Sequence, residues 1–269
     1  FDAAIGLRCP GDAVARRGLA ALRRLAAFEH HAHALQAAGE IEAAAAVGAP
    51  VIELHTGAYA EAEGERRADE LHRLASAARH GESLGLIWFD AHADFNTPDT
   101  SPSGNVHGMP VACLCGYGPD VLTHLSGHNP ALSPRDLRQI GIRSVDQGEK
   151  RFVHEAGLEV YDMRFIDETG MRQTLAHALS DLPTDAHLHV SFDVDFLDPE
   201  IAPGVGTTVP GGPSYREAQL CMEMIADTGR LASLDVVELN PALDVRNRTA
   251  TVAVGLIASL FGKSTLMRR

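Results

Sequence analysis

Three ionisable side chains alternate directly after an apolar stretch of the sequence. Asp90, His92 and Asp94 follow Leu84–Phe89, a run that predicts a strand buried on both faces. Because every second side chain of an extended backbone faces the same way, the three residues are expected to converge on one side. Two carboxylates and an imidazole combine hard oxygen donors with a borderline nitrogen donor. Such a set suits Mn²⁺ and, less exclusively, Zn²⁺, iron or Co²⁺.

A second pair of carboxylates repeats this arrangement later in the chain. Asp193 and Asp195 are two residues apart and follow Leu188–Phe192, another predicted buried strand. Alone, two aspartates at this spacing are typical of a cap or a solvated loop. Carboxylates crowded at the ends of buried strands repel one another unless something positive neutralises them. The two clusters together therefore predict a site where bound metal relieves the repulsion.

The pattern of apolar runs predicts an α/β fold. Strands are expected at Leu84–Phe89, Gln139–Ile142, Glu159–Tyr161, Leu188–Phe192 and Leu234–Leu239. Helical spacing is found at Met171–Leu182, Tyr215–Thr228 and Ala250–Leu260. Strands alternating with helices predict a mostly parallel sheet with helices on both faces, a three-layer α/β/α architecture. Ligands of such sheets bind outside the carboxyl ends of the strands, where both acidic clusters fall.

The first third of the chain contains a separate set of predicted elements. Residues 11–47 show helical spacing, residues 51–54 form a short apolar strand that ends at His55, and residues 61–79 favour a helix. No repeat or low-complexity linker divides the sequence. Residues 1–269 are therefore predicted to form a single domain.

Charge and cysteine content exclude several kinds of partner and compartment. The chain has 23 Lys plus Arg against 36 Asp plus Glu, a formal net charge of −13. Nucleic acids and anionic membranes favour a cationic surface, so neither is expected as a partner. The four cysteines form no paired metal motif and no disulfide framework, which indicates reduced thiols and a cytoplasmic protein. The longest apolar run, Val252–Phe261, is too short to span a bilayer.

Long motifs surround both acidic clusters. Residues 90–98 have the sequence Asp-Ala-His-Ala-Asp-Phe-Asn-Thr-Pro, and residues 101–110 have Ser-Pro-Ser-Gly-Asn-Val-His-Gly-Met-Pro. Residues 191–199 have Ser-Phe-Asp-Val-Asp-Phe-Leu-Asp-Pro, and residues 238–241 have Glu-Leu-Asn-Pro. With these motifs the chain resembles the ureohydrolase family, and arginases in particular, over about residues 84–263.

The resemblance implies a hydrolase with two manganese ions. The residues that match the family's metal ligands are Asp90, His92, Asp94, Asp193 and Asp195, and the resemblance implies that Asp94 is also catalytic. In such a centre, metals roughly 3.5–4 Å apart bridge a water and lower its pKa, which makes hydroxide available at neutral pH. The resemblance implies that this hydroxide attacks the guanidinium carbon of L-arginine, and that L-ornithine and urea are the products.

Three further matches imply roles at the reacting end of the substrate. His107 resembles the family's proton shuttle, and the near-neutral pKa of histidine suits that task. The alternative for His107 is a loop histidine bonded to backbone. Glu238 matches a carboxylate near the guanidinium, and it follows apolar residues at a position where an unpaired charge would be costly. Thr207 matches a hydroxyl beside the guanidinium.

Other matches imply how the α-amino acid end is held. Asn96, Ser103 and Asn105 resemble the receivers of the α-carboxylate, although Asn and Ser are also ordinary turn formers. Asp146 and Glu149 belong to a loop that resembles the α-amino site. The sequence departs from the family in this loop, because residue 144 is Ser where the family often has Asp. A weaker α-amino contact is expected, with a cost in substrate affinity rather than in chemistry.

One motif of the family is missing upstream of Asp90. The family has a Gly-Gly-Asp-His-Ser motif whose His completes the shell of the first metal, and no such string occurs in this sequence. Residues of about 40–86 instead resemble a fragment of pyridoxine 5′-phosphate synthase, a (β/α)-barrel enzyme. The chain is therefore predicted to be composite. It is expected to form one arginase-like domain in which residues 1–83 are atypical and about 40–83 are a foreign strand-helix segment.

The missing histidine predicts an unequal metal centre. The first metal would keep three aspartates plus solvent, namely Asp90, Asp94 and Asp193. The second would keep Asp90, His92, Asp193 and Asp195, so it is expected to bind more firmly. His55 is a candidate for the missing ligand on position alone, and a histidine hydrogen-bonded at a strand end is the favoured alternative.

Three functions stay open at this point. They are an arginase-type hydrolase, a ureohydrolase acting on agmatine or another guanidino compound, and a metal-binding pseudoenzyme without turnover. Asn96, Ser103 and Asp146 favour an α-amino acid substrate, because agmatine has no carboxylate. The resemblance also implies a homo-trimer or homo-hexamer.

Overall fold

The computed structural model describes residues 84–125 and 127–266, which belong to one compact unit. The elements predicted at residues 11–47, 51–54 and 61–79 lie outside this range, as does His55. A single domain over residues 1–269 therefore stays a prediction.

Five parallel strands form the sheet of the described region. They are Leu84–Phe89 (β1), Leu137–Ile142 (β2), Glu159–Asp162 (β3), His187–Asp193 (β4) and Leu231–Val237 (β5). Their order is β3-β2-β1-β4-β5, and every neighbouring pair is parallel. All the carboxyl ends therefore meet at one edge of the sheet, where ligands of parallel sheets bind.

Seven α-helices lie within residues 84–125 and 127–266. They are Pro110–Leu114 (α1), Asp120–Thr123 (α2), Gln147–Ala156 (α3), Met163–Thr169 (α4), Met171–Ser180 (α5), Tyr215–Asp227 (α6) and Arg248–Leu260 (α7). None of these helices combines the length and the apolar character needed to cross a bilayer. Short 3₁₀ turns are formed by Val106–Gly108, Pro134–Asp136 and Val194–Phe196.

Helices cover both faces of the sheet. On one face, Leu86 of β1 packs in a buried cluster with Phe95 and with residues of α1 and α3, such as Val111 and Phe152. The opposite face packs so closely that a Cβ placed at Gly85 would lie 2.8 Å from Leu182, just beyond α5. Helices α5 and α6 contact each other, as do α6 and α7. The predicted three-layer α/β/α fold is confirmed.

The predicted boundaries differ from the observed ones chiefly at β5. Strand β1 has its predicted bounds, and β2, β3 and β4 each gain one or two residues. The strand expected at Leu234–Leu239 instead spans Leu231–Val237. It ends early because Glu238 adopts a left-handed backbone with φ 63°, which turns the chain out of the sheet. Helices α1, α2, α3 and α4 were not predicted.

Candidate metal centre

The register of two central strands brings the acidic clusters together. Strands β1 and β4 pair in parallel from Leu84 opposite His187 to Phe89 opposite Phe192. Asp90 therefore leaves β1 beside the point where Asp193 ends β4. Beyond the sheet, His92 forms an isolated parallel bridge with Ser144, which brings the loop after β2 alongside.

Three side chains form a compact group at this edge. The ligand atoms of Asp90, His92 and Asp195 all lie within 4.8 Å of one another. His92 Nδ1 lies 3.1 Å from Asp195 Oδ2 and 3.4 Å from Asp90 Oδ1. Both carboxylates are buried, whereas His92 is half-buried. Two carboxylates and one imidazole in this arrangement are a donor set that fits Mn²⁺.

Hydrogen bonds fix the orientation of the Asp90 carboxylate. Its Oδ1 accepts the backbone N–H of His92 at 2.6 Å. Its Oδ2 accepts the indole N–H of Trp88 at 2.9 Å. The partly buried indole finds a hydrogen-bond partner in this carboxylate, and Trp88 therefore holds the carboxylate at the end of its own strand.

Asp195 is held by contacts from three directions. Its Oδ1 accepts the backbone N–H of Ala91 at 3.1 Å, and its Oδ2 accepts the Thr207 hydroxyl at 3.0 Å. Its own backbone N–H donates to Asp193 Oδ1 at 2.8 Å. The turn after β4 is therefore fixed against the loop after β1.

Charge crowding changes the protonation of the group. Burial raises the pKa of Asp90 to about 6, and the charge of Asp195 adds to this rise. Burial would lower the pKa of His92, but hydrogen bonds and charges from Asp195 and Asp90 outweigh it and raise that pKa to about 10. Burial would likewise raise the pKa of Asp195, yet the contact with His92 lowers it. Without a metal, a proton on His92 thus supplies the positive charge, which a divalent cation would supply when bound.

Asp94 and Asp193 belong to the same electrostatic cluster but not to the 4.8 Å group. Burial, together with the charge of Asp90, raises the pKa of each carboxyl well above its usual range. The extended backbone expected to align Asp94 with His92 does not continue that far, because Asp94 has φ 50°. The left-handed turn aims the Asp94 carbonyl at α1, where it accepts the N–H groups of Val111 and Ala112.

The predicted α-amino loop begins helix α3. Asp146 is the N-cap residue and forms a capping box with Glu149. Glu149 is buried, and its two oxygens accept the backbone N–H groups of Phe95 at 2.8 Å and Asp146 at 3.0 Å. Asn96 is also buried, and its amide donates to Asp146 Oδ2 at 3.0 Å. The structure thus brings Asn96 together with Asp146 and Glu149, which were predicted from a different motif.

The remaining predicted residues are exposed around this edge. Ser103, Asn105 and His107 lie on one loop, which is joined to Asn96 because the Asn96 N–H donates to the Gly108 carbonyl at 3.0 Å. Glu238 is exposed just beyond β5. A Cβ placed at Gly206 would lie 3.3 Å from Glu238 Oε2, so Glu238 lies next to the loop that carries Thr207.

Two residues with close contacts to the site were not predicted. Trp88 bonds Asp90, and Arg143 donates to the Asp195 carbonyl at 2.8 Å. The signal for Trp88 was an indole in a buried strand, directly before the acidic motif. Arg143 follows an apolar strand, but nothing in its local sequence specifies its distant partners.

Comparison with known proteins identifies two segments. Residues 71–262 match the Arginase family, and residues 32–99 match pyridoxal phosphate biosynthesis protein PdxJ. An arginase of Bacillus caldovelox is 49% identical over 195 residues, which are 72% of this chain and 65% of that protein. A crystal structure of arginase from Bacillus subtilis matches with a TM-score of 0.70 and 46% identity, covering 74% of this chain and 70% of that chain. Entamoeba histolytica arginase in complex with L-ornithine matches with a TM-score of 0.66 and 34% identity, covering 75% and 68%.

The two family matches have different extents. The chain spans 65% of the length of the Bacillus caldovelox relative. The shorter match confirms the prediction that the N-terminal part is composite, since it overlaps the longer match only at residues 71–99. The longer match contains every strand of the sheet and both acidic clusters. This chain belongs to the arginase family.

Proposed function

We propose that this chain hydrolyses L-arginine to L-ornithine and urea in a manganese-dependent reaction. The observation that carries the proposal is the group formed by Asp90, His92 and Asp195 at the carboxyl edge of the sheet. Membership of the arginase family supports the reaction class. A relative that binds L-ornithine supports an α-amino acid product.

The donor set supports two metals of unequal affinity. Asp90, His92, Asp193 and Asp195 would hold the second metal, and Asp90, Asp94 and Asp193 would hold the first. The crowded carboxyls, whose pKa values burial raises, are those expected to give up protons to a divalent cation. When bound, such a pair of metals supplies a strongly acidified water at neutral pH.

The chain's own side chains would place the guanidinium and move protons. Thr207 keeps one oxygen of Asp195 oriented through its hydrogen bond. Glu238, next to the Thr207 loop, offers a carboxylate to the cationic guanidinium. His107 lies exposed on its loop, where an imidazole can carry protons between solvent and the departing amine of ornithine.

The α-amino acid end would be recognised by the two loops that meet at Asn96. Ser103 and Asn105 are exposed and offer neutral donors to the α-carboxylate together with Asn96. Asp146 offers its carboxylate to the α-amino group. Glu149 would act on the α-amino group through Asp146, since both of its oxygens already accept backbone N–H groups.

The decisive experiment measures urea release from L-arginine and from agmatine, with and without added Mn²⁺. The proposal expects Mn²⁺-dependent urea from L-arginine and little from agmatine, because agmatine lacks the carboxylate that Asn96, Ser103 and Asn105 would bind. A preference for agmatine would favour another ureohydrolase. Asp195→Ala is the control for metal-dependent turnover.

One observation favours a second candidate, a metal-binding pseudoenzyme. The family's Gly-Gly-Asp-His-Ser motif is absent upstream of Asp90, so the first metal lacks a ligand that active relatives are expected to have. Mn²⁺ uptake without urea from either substrate would support this candidate.

Assembly and compartment follow from the same proposal. We propose a homo-trimer or homo-hexamer because the chain belongs to the arginase family. Size-exclusion chromatography with light scattering measures the mass of the assembly. Cys113, Cys115 and Cys221 are free and buried, which supports a cytoplasmic compartment.

A further inference from the structure

Arg143 makes an unusual set of contacts directly after β2. Its guanidinium donates to the carbonyls of Gly141 at 3.2 Å, Asp195 at 2.8 Å, Phe196 at 3.0 Å, Leu197 at 3.3 Å and Val209 at 2.8 and 3.1 Å. Five donors in a planar fork suit several acceptors at once, which an ammonium group cannot match.

These contacts join three segments that are distant in sequence. Gly141 belongs to the end of β2, Asp195 to the 3₁₀ turn Val194–Phe196, and Val209 to the loop after Thr207. The turn carries an Asp195 carboxylate that faces His92, and the loop carries the Thr207 hydroxyl that bonds it. Arg143 therefore fixes the backbone on both sides of the Asp195–Thr207 hydrogen bond.

Asp198 secures the same loop from another side. Its Oδ2 accepts the backbone N–H groups of Gly211 at 2.9 Å and Gly212 at 3.1 Å. A Cβ placed at Gly212 would lie 2.7 Å from Arg143 Nη2 and 2.7 Å from the Asp198 N atom. The loop thus approaches both residues too closely for any side chain at this position.

The charge of Arg143 also belongs to the site. Burial lowers the pKa of Arg143, whereas the negative charges of Asp195, Asp198 and Asp90 raise it. The guanidinium hydrogen-bonds carbonyls rather than carboxylates within the described part of the chain. It therefore adds positive charge near the carboxylates while leaving their oxygens available.

We propose that Arg143 is a positioning residue for the metal centre. It holds the backbone of Asp195 and the loop of Thr207 so that the Asp195 carboxylate faces His92. This inference rests on the proposed function for the identity of the metal, but it concerns the chain's own residues and can be measured without turnover.

The test compares Arg143, which directly follows β2, with Arg138, which lies within β2. Arg138, at the start of β2, donates to the carbonyls of Arg135 at 2.6 Å, Leu137 at 2.9 Å and Asp181 at 3.1 Å, away from the carboxyl edge. Both Arg143→Lys and Arg138→Lys keep the positive charge but remove the planar set of guanidinium N–H donors. Both are expected to lower the Tm, because each loses several hydrogen bonds.

Manganese affinity separates a positioning role from a structural one. Titration of the full chain with Mn²⁺, followed by electron paramagnetic resonance of the free ion, should show binding about 10- to 100-fold weaker in Arg143→Lys. Arg138→Lys should bind Mn²⁺ as the parent chain does. An unchanged Mn²⁺ affinity in folded Arg143→Lys would overturn the inference.

A second variant decides the matter if Arg143→Lys does not fold. Asp198→Asn leaves Arg143 in place and weakens the bonds that Asp198 accepts from Glu200, Gly211 and Gly212, so Mn²⁺ binding should weaken by a smaller factor. Parent-like affinity in that variant would then refute the inference. A parent chain that binds no Mn²⁺ overturns both this inference and the proposed function, whereas Mn²⁺ binding that no variant changes overturns this inference alone.

Discussion

The two halves of the candidate metal centre are built differently. On one side, Asp90, His92 and Asp195 lie within 4.8 Å of one another, and each carboxylate accepts a backbone N–H. On the other side, the Asp94 carboxylate accepts no hydrogen bond from the residues that the structure describes, and its backbone is left-handed. The group of Asp90, His92 and Asp195 is therefore organised in advance for a cation, whereas the proposed metal position at Asp94 would need a further ligand.

The difference follows from where the ligands come from. The organised half is assembled by two adjacent strands whose register fixes both tips. The Asp94 half would need the histidine of a motif that the sequence does not contain. The two proposed metal positions share Asp90 and Asp193, but only one of them would need the missing histidine, so that position alone is expected to be weakened.

The largest effect is expected from Asp195→Ala. This change removes the acceptor of Ala91 and Thr207 and the partner of His92. Since metal stabilisation of a transition state is worth several kcal/mol, urea release should fall about 1000-fold. Steady-state assays at saturating Mn²⁺ measure it. Near-parental activity would show that the organised half is not where the metal acts.

The pH dependence of metal binding gives the next largest effect. The pKa of His92 is raised to about 10, so His92 holds a proton in the metal-free site at neutral pH, whereas Asp90, with its pKa raised to about 6, takes one up only in more acidic solution. Mn²⁺ must displace the His92 proton, and its affinity should rise with pH by about tenfold per unit for each proton released. Calorimetry in buffers of different ionisation enthalpy counts these protons. Binding without proton release would contradict the expected charge state.

The Asp94→Asn variant tests whether the two halves of the candidate metal centre bind Mn²⁺ independently. The parent chain should bind one Mn²⁺ tightly and a second weakly. The variant should lose the weak ion and keep the tight one, because Asp94 lies outside the organised group. Equilibrium dialysis gives both affinities. Loss of the tight ion would mean that the two halves cannot be treated separately.

The smallest effect is expected from His55→Ala. The favoured interpretation of His55 is a hydrogen-bonded histidine at a strand end, so the Mn²⁺ count per chain should not change. Dialysis of parent and variant side by side provides the measurement. Fewer Mn²⁺ ions per chain in the variant would identify His55 as the ligand that replaces the missing histidine beside Asp94.

The sequence predicts the fold where apolar runs are uninterrupted. Strand β1 has the same bounds in sequence and structure because Leu84–Phe89 is apolar throughout and ends at a charge. Helix α3 was missed because its signal lies in its caps rather than in apolar spacing. The capping box of Asp146 and Glu149 marks its start, and Gly157 with φ 68° ends it.

The sequence predicts the site only as far as spacing determines it. Alternation after a strand correctly placed Asp90 and His92 together, but it could not show that Asp94 turns to φ 50°. Apart from the contact with Gly141, the carbonyl contacts of Arg143 join residues 52 to 66 positions apart. Such contacts depend on how the loops pack, and no local pattern encodes them.

The bond between Trp88 and Asp90 has a practical consequence. Trp88 is the only tryptophan among the 269 residues, and its indole N–H is tied to a carboxylate of the metal centre. All the tryptophan fluorescence of the chain therefore originates beside the site. A change in that emission on titration with a cation would report occupancy without a label, a substrate or a mutation.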